Sequence, residues 1–361
     1  MSSEPLKEVY NHAFLVQLME KITQVYPSFD QAGFLAAVYH TDWETLELKQ
    51  RMRRITESIG EHLPADYAEA ITILLGIAPQ CTGFPYLIFP DFVERFGQDH
   101  WEISIQALEM FTQGSSAEFA VRPFIKNDPD RMMAQMRQWS KHDNEHVRRL
   151  ASEGCRPKLP WAAPLTFFRE DPSAILPILE QLKADSSKYV QKSVANNLND
   201  IAKDHPDLVQ TIVQKWRGKR EETDWILRHG SRTLLKQGKP EVLSLFGYLD
   251  AEAMVVEDFR LSSEELTLGE TLTFSFRVIN PTDTVQKLRV EYAIDFVKAN
   301  GKQSRKIFQL SDKLFAPGET EIIRKQKFVN LTTRKHYAGL HRLTIRINGK
   351  DKQSQEFQLT V

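Results

Sequence analysis

The feature that most constrains this chain is a change of hydrophobic period near Leu249. Upstream, apolar residues recur at helical spacing: Phe14, Leu18, Met19 and Ile22; Phe34, Ala37 and Val38; Leu46, Leu48 and Met52; then the Asp66–Leu75 segment. Downstream they alternate, as in Leu272, Phe274, Phe276 and Val278, in Leu288 through Phe296, in Leu343, Ile345 and Ile347, and in Phe357, Leu359 and Val361. Helices repeat every 3.6 residues and half-buried strands every 2, so one continuous fold cannot satisfy both patterns. The expectation is a multidomain chain, a helical region over 1–250 and an all-β region over 257–361, joined by little linker.

Asn280-Pro281, Asn300-Gly301, Pro317-Gly318 and Asn348-Gly349 punctuate the β region into about seven strands, which predicts an immunoglobulin-like sandwich. It lacks the Cys-Trp-Cys hallmark of antibody domains. The two cysteines, Cys81 and Cys155, form no disulfide framework, and there is no signal-peptide pattern or long apolar run. A soluble cytoplasmic protein, without membrane contact and monomeric, is expected. The loop from Pro79 to Pro90, rich in aromatics and prolines, is expected to be non-helical.

From Trp101 onward the helices look repetitive. Trp101-Glu102-Ile103, His146-Val147-Arg148, Tyr189-Val190-Gln191 and Trp225-Ile226-Leu227 are offset by 45, 43 and 36 residues, near the period of HEAT-like repeats that stack into an α-solenoid superhelix. With Val147, Val190 and Ile226 as equivalent core positions, Arg149, Lys192 and Arg228 become equivalent, as do Glu153, Asn196 and Arg232. The first of these sets is basic throughout. Stacking would turn it into a stripe facing successive phosphates, although exposed Lys and Arg on ordinary helices read the same way.

Net charge is −1, and its distribution is uneven: residues 1–136 carry 10 Lys+Arg against 19 Asp+Glu, whereas 137–239 carry 19 against 13. A basic middle is consistent with a polyanion-binding face. The run Lys49, Arg51, Arg53, Arg54 reads as a solvated helix face.

The richest chemistry lies between Asp143 and Ala162. Asp143 or Asn144 can cap a helix with Val147, Leu150 and Ala151 on its apolar side, and Gly154 can end it in the left-handed conformation. A rigid loop follows, with Trp161 between Pro160 and Pro164; packing of the indole over a helix end is the bland reading. His142-Asp143-Asn144-Glu145-His146 has the H-x-x-E-H order of a zinc site, but a cap at 143–144 would split the two histidines, so no metal is expected. Ser115-x-x-Glu118 fits a capping box. Asp200 lies off the apolar stripe of its helix, on a side it can share with Asn196 and Lys192.

On these residues, Asp143–Ala162, Glu118-Phe119-Ala120-Val121-Arg122-Pro123-Phe124 and Asn196-Asn197-Leu198-Asn199-Asp200, the chain resembles the AlkC family of bacterial DNA alkylpurine glycosylases, HEAT-repeat enzymes related to AlkD that add a terminal immunoglobulin-like domain. The resemblance implies hydrolysis of the N-glycosidic bond of cationic bases such as 3-methyladenine and 3-methylcytosine in duplex DNA, without a cofactor and without base flipping. It implies that Glu118 and Asp200 are active-site carboxylates and Trp161 an aromatic wall. Arg122, Arg148, Arg149, Arg156, Lys158, Lys192, Asn196, Arg228 and Arg232 are expected to contact DNA. The β region, with the basic loop Thr333-Arg334-Lys335-His336, is expected to close on the duplex. The competing expectation is a non-catalytic scaffold that binds distorted DNA or a protein.

Overall fold

A computed structural model describes residues 5–331 and 334–361, and Thr333 of the basic loop lies outside them. The first half of its helical part contains α1 (His12–Val25), α2 (Gln31–Val38), α3 (Leu48–His62), α4 (Tyr67–Ile77), α5 (Ile88–Phe96), α6 (Trp101–Gly114), α7 (Val121–Asn127) and α8 (Pro129–Trp139). There follow α9 (Glu145–Glu153), α10 (Thr166–Glu170), α11 (Leu176–Leu182), α12 (Lys188–Ile201), α13 (Pro206–Trp216), α14 (Glu221–Gly230), α15 (Arg232–Gln237) and α16 (Pro240–Leu245). Among the described residues, no helix is long and apolar enough to cross a membrane.

Side-chain caps explain many of the starts. Asn11, Asp30 and Asp66 accept from Phe14 N, Gly33 N and Glu69 N, Asn144 accepts from His146 N, and Ser187 from Tyr189 N. The expected loop at Pro79–Pro90 is instead two short 3-10 turns running into α5. Pro90 falls in the first turn of α5, where its missing N–H has no intrahelical partner to lose.

Packing forms two compact units, Met1–Asp204 with Arg217–Gly230, and His205–Trp216 with Ser231–Val361. In the first, the helices that carry Trp101, His146, Tyr189 and Trp225 are successive neighbours, although Trp225 lies in the second turn of its helix rather than at its start: α6 touches α9, α9 touches α12, and α12 touches α14. Val147, Val190 and Ile226 are fully buried, as equivalent core positions require. His146 meets Tyr189 edge to face at 5.4 Å.

In the second unit, eight strands among the described residues form two sheets. One has the order β1 (Val255–Leu261), β3 (Thr271–Asn280), β6 (Gly318–Lys327); the other runs β2 (Glu265–Thr267), β8 (Lys350–Thr360), β7 (Gly339–Ile347), β4 (Gln286–Val297), β5 (Gln303–Phe315). All pairs are antiparallel except β2 with β8. The alternating residues of β3, β4, β7 and β8 meet in one core. The β7–β8 turn has Asn348 and Gly349 both at positive φ, 44° and 78°, the conformation that Asn-Gly hairpins favour. Helices α13, α15 and α16 are helical by pattern yet belong to this unit, where Tyr248 donates to Asp312 and Asn348 donates to the Leu249 carbonyl. His336 is buried against Phe296 and Phe328, and Arg334 lies over the Phe296 ring, so the basic loop is in part a core element.

Candidate active site

Glu118 stands in the turn before α7. The expected capping box is not formed: Ser115 Oγ is buried without a hydrogen bond, and Ser116 takes the role of local partner, donating to Glu118 Oε2 at 2.9 Å. Arg149, reaching across from α9, donates to the same oxygen and to Ser116 Oγ. Glu118 Oε1 carries none of these bonds, and the side chain keeps 16% exposure.

From Arg149 a chain of alternating charge runs to Asp200. Arg149 Nη2 lies 3.4 Å from Glu153 Oε1, Arg156 Nη1 is 2.6 Å from that same oxygen, and Arg156 Nε is 2.9 Å from Asp200 Oδ2. Lys203 closes the far end at 3.0 Å from Asp200 Oδ1. Ser193 on α12 donates to Glu153 Oε2 at 2.7 Å and pairs with Ser152. Burial is the largest single influence on Arg149 and Arg156 and opposes their charge, but Glu153 together with Glu118 for the first and Asp200 for the second outweighs it, so both guanidinium groups hold their protons more tightly than usual. Two carboxylates expected from distant segments are thus joined through three residues, with Glu153, which the sequence did not single out, at the centre. The available signal was its spacing, four residues after Arg149 and three before Arg156.

The helix that carries Arg149 ends differently from expectation. Gly154 is right-handed, φ −62° and ψ −34°, so its value is not conformational freedom. A Cβ there would sit 2.5 Å from Val121 Cγ2, so glycine lets α9 approach α7.

Beyond it, Trp161 adopts φ +62° and its indole is 64% exposed. It does not pack over a helix end. Its loop is held by backbone instead: Arg122 donates to the carbonyls of Gly154 (3.1 Å), Arg156 (2.9 Å) and Ala163 (2.6 Å), and Leu165 N donates to the Pro157 carbonyl at 3.1 Å. Burial pushes the Arg122 guanidinium down to about 10. Arg122 is therefore a loop clamp, its donors turned to carbonyls rather than phosphates.

The other cations expected to contact DNA divide sharply. Arg148 forms a two-pronged pair with Asp185 and also donates to the carbonyls of His142 and Asp143. Arg156 is buried and Arg149 nearly so, both tied to carboxylates, so neither is an outward rung of a stripe. Lys158 pairs with Asp204, as does Arg169. Lys192 is exposed on α12, beside half-buried Asn196, and Arg228 is half-buried on α14. Arg232 is not equivalent to Glu153 and Asn196, because α14 stops at Gly230 and Arg232 opens α15 in the second unit. The basic run on α3 is not a solvated face either: Arg51 is buried over Trp43 and reaches Glu8 and Glu44, Arg53 pairs with Asp91 and Glu94, and Arg54 with Asp42.

His142 accepts from Asn144 N through Nδ1 and faces Glu109 at 3.6 Å through Nε2, while His146 turns to Tyr189. The cap splits the H-x-x-E-H motif, and among the described residues no group of three His, Cys, Asp or Glu is arranged to hold a metal. Cys81 and Cys155 are free and buried, and burial pushes the Cys155 thiol up to about 12.

Comparison with known proteins supplies the context. Residues 111–234, which contain every member of the charged chain, match a family described as DNA alkylation repair enzyme. Residues 255–361 match the C-terminal Ig-like domain of the YhaZ protein family. A Bacillus subtilis (strain 168) protein, YhaZ, is 49% identical over 98% of this chain and 99% of its own length. The solved structure of Pseudomonas fluorescens alkylpurine DNA glycosylase AlkC, bound to DNA containing an abasic site analog, is 41% identical with a TM-score of 0.95, covering 99% of this chain and 100% of that one.

Proposed function

Because the chain belongs to the family of AlkC alkylpurine DNA glycosylases, we propose that it hydrolyses the N-glycosidic bond of cationic alkylated bases, 3-methyladenine and 3-methylcytosine, in duplex DNA. The observation that carries this reading is the buried chain Glu118–Arg149–Glu153–Arg156–Asp200, next in sequence to an exposed, strained Trp161. An N-methylated base is already cationic and leaves without prior protonation. The work left to the protein is to stabilise positive charge growing on the deoxyribose and to orient water, which is what fixed carboxylates do. The guanidinium groups hold Glu118 and Asp200 in place, and these bonds leave Glu118 Oε1 aside. Trp161 offers its ring face to a cationic base or sugar, an attraction of about 0.5–2 kcal/mol.

Recognition without base flipping belongs to the same reading, with lesion charge and duplex distortion as the features that discriminate. That the Pseudomonas fluorescens relative was solved on DNA containing an abasic site analog supports DNA as the partner.

The test is release of free base from duplex DNA containing 3-methyladenine, with a 3-methylcytosine duplex in parallel. Glu118→Gln and Asp200→Asn should each lower the single-turnover rate by about 100- to 1000-fold while DNA binding is retained. A wild-type chain that binds the duplex and releases no base would leave a DNA-binding scaffold.

A further inference from the structure

One cation of the α3 basic run remains unexplained. Arg51, Arg53 and Arg54 each pair with carboxylates, whereas Lys49, 112 residues before Trp161, donates its ammonium to the Trp161 carbonyl and centres it 4.0 Å from the middle of the Phe119 ring. Phe119 follows Glu118 directly. A single side chain from a third segment thus touches both the turn that presents the carboxylate and the turn that presents the indole.

Trp161 needs such a support. A non-glycine residue at φ +62° stores about 1–3 kcal/mol of strain, and an exposed indole returns little of it through packing. Arg122 holds the loop on either side, its hydrogen bonds going to the carbonyls of Gly154, Arg156 and Ala163. Lys49 bonds to Trp161 itself. Burial works against the Lys49 charge and lowers its proton affinity, while Glu94, Asp91 and Glu118 favour the charge.

We propose that Lys49 is a positioning residue for the glycosylase reaction, holding the strained Trp161 turn against the Glu118–Phe119 segment so that indole and carboxylate address the same nucleotide. This rests on the function proposed above. The hydrogen bond fixes the Trp161 peptide plane, and with it the direction of the indole. The cation–π contact fixes the ammonium over Phe119. Arginine can make both contacts; methionine has similar length and can make neither.

The experiment is a double-mutant cycle on the full-length chain, read by single-turnover base release from 3-methyladenine duplex. Lys49→Met should lower the rate by about 10- to 100-fold, as misplacement of a reacting group does, with duplex affinity little changed. Lys49→Arg should recover most of that loss. In a Trp161→Ala background, Lys49→Met should cost less than about twofold, because the two residues act through one geometry. An undiminished loss in that background, or a loss carried by affinity with a shallower salt dependence, would instead make Lys49 a phosphate contact and overturn the proposal. Acrylamide quenching of the emission lost in Trp161→Phe separates this question from catalysis. It should change in Lys49→Met, and unchanged quenching overturns the positioning role even if the wild-type chain releases no base.

Discussion

Two of the buried arginine–carboxylate networks among the described residues differ in what stands at their ends. In the β-sandwich, Glu291 is wholly enclosed between Arg289, at 2.8 Å, and Arg346, at 3.5 Å; Arg289 is tied further to Gln309, and Arg346 to Asp351. In the helical unit the carboxylate Glu153 is again central, but the arginines on either side lead on to two more carboxylates, Asp200 at 2% exposure and Glu118 at 16%. The β network is centred on a charge that it neutralises. The helical chain is closed beyond Asp200 by Lys203 and finishes at its other end in a partly open carboxylate, Glu118. A buried ion pair is weak testimony for function on its own, and the partly open end is what separates a site from a staple.

The largest expected effects test that distinction directly. Glu291→Gln leaves buried Arg289 without its carboxylate and Arg346 with Asp351 alone, and should cost about 3–5 kcal/mol of stability, read by denaturant unfolding, while the folded fraction releases base at the wild-type rate. Glu153→Gln should cost a similar amount and also lower base release, because Arg149 and Arg156 then lose the link that orients Glu118 and Asp200. Equal catalytic losses in the two variants would erase the comparison. A smaller effect is expected from Gly154→Ala, about 1–3 kcal/mol, since the new methyl meets Val121 Cγ2 and, at 3.1 Å, the Leu150 carbonyl oxygen.

How much of this was legible in the sequence depended on burial pattern. Strands β3, β4, β7 and β8 alternate because one face of each is sealed in the core. Strands β5 and β6 lie at sheet edges with both faces partly exposed, so they carry no clean period of 2. The repeat of Trp101, His146, Tyr189 and Trp225 was visible because each helix buries the same face on its neighbour. Glu118, Asp200 and Trp161 were reached through family resemblance. Glu153, Arg149 and Lys49 were read as surface or left aside for one reason: a charged residue on a helix looks solvated until its partner is known, whether that partner buries it, as for Glu153 and Arg149, or holds it at the surface, as Trp161 does for Lys49 from 112 residues away.

The β-sandwich has its own sensitivity to acid. Burial lowers the proton affinity of His341, whose Nε2 accepts from Val297 N, and of His336, where Arg334 adds to the effect. The folded form then binds protons less readily than the unfolded chain. Stability is fully present above the ordinary histidine pKa of about 6.5 and falls as pH drops below it towards the lowered folded values. A drop of about 2–4 °C in Tm between pH 7.5 and 5.5 is expected, with a flatter profile in His341→Gln. A flat wild-type profile would mean that these rings gain protons without loss. The charged chain of the helical unit rests on arginines and carboxylates, so base release should not follow the same histidine titration.

The smallest effect is the sharpest test of the open end. Trp161 holds a left-handed backbone that asparagine adopts at far lower cost, and its indole gains little from packing, so Trp161→Asn should stabilise the chain by about 1 kcal/mol. The same variant should lose base release, because the ring that faces the cationic base or sugar is gone. Opposite signs for stability and activity are what a strained residue kept for catalysis must show. No position in the Arg289–Glu291–Arg346 network should behave so, since there each side chain serves the fold and its removal lowers stability. A Trp161→Asn chain that is both less stable and fully active would show that the indole supports the loop, and the open end of the helical network would then have to be sought at Glu118 alone.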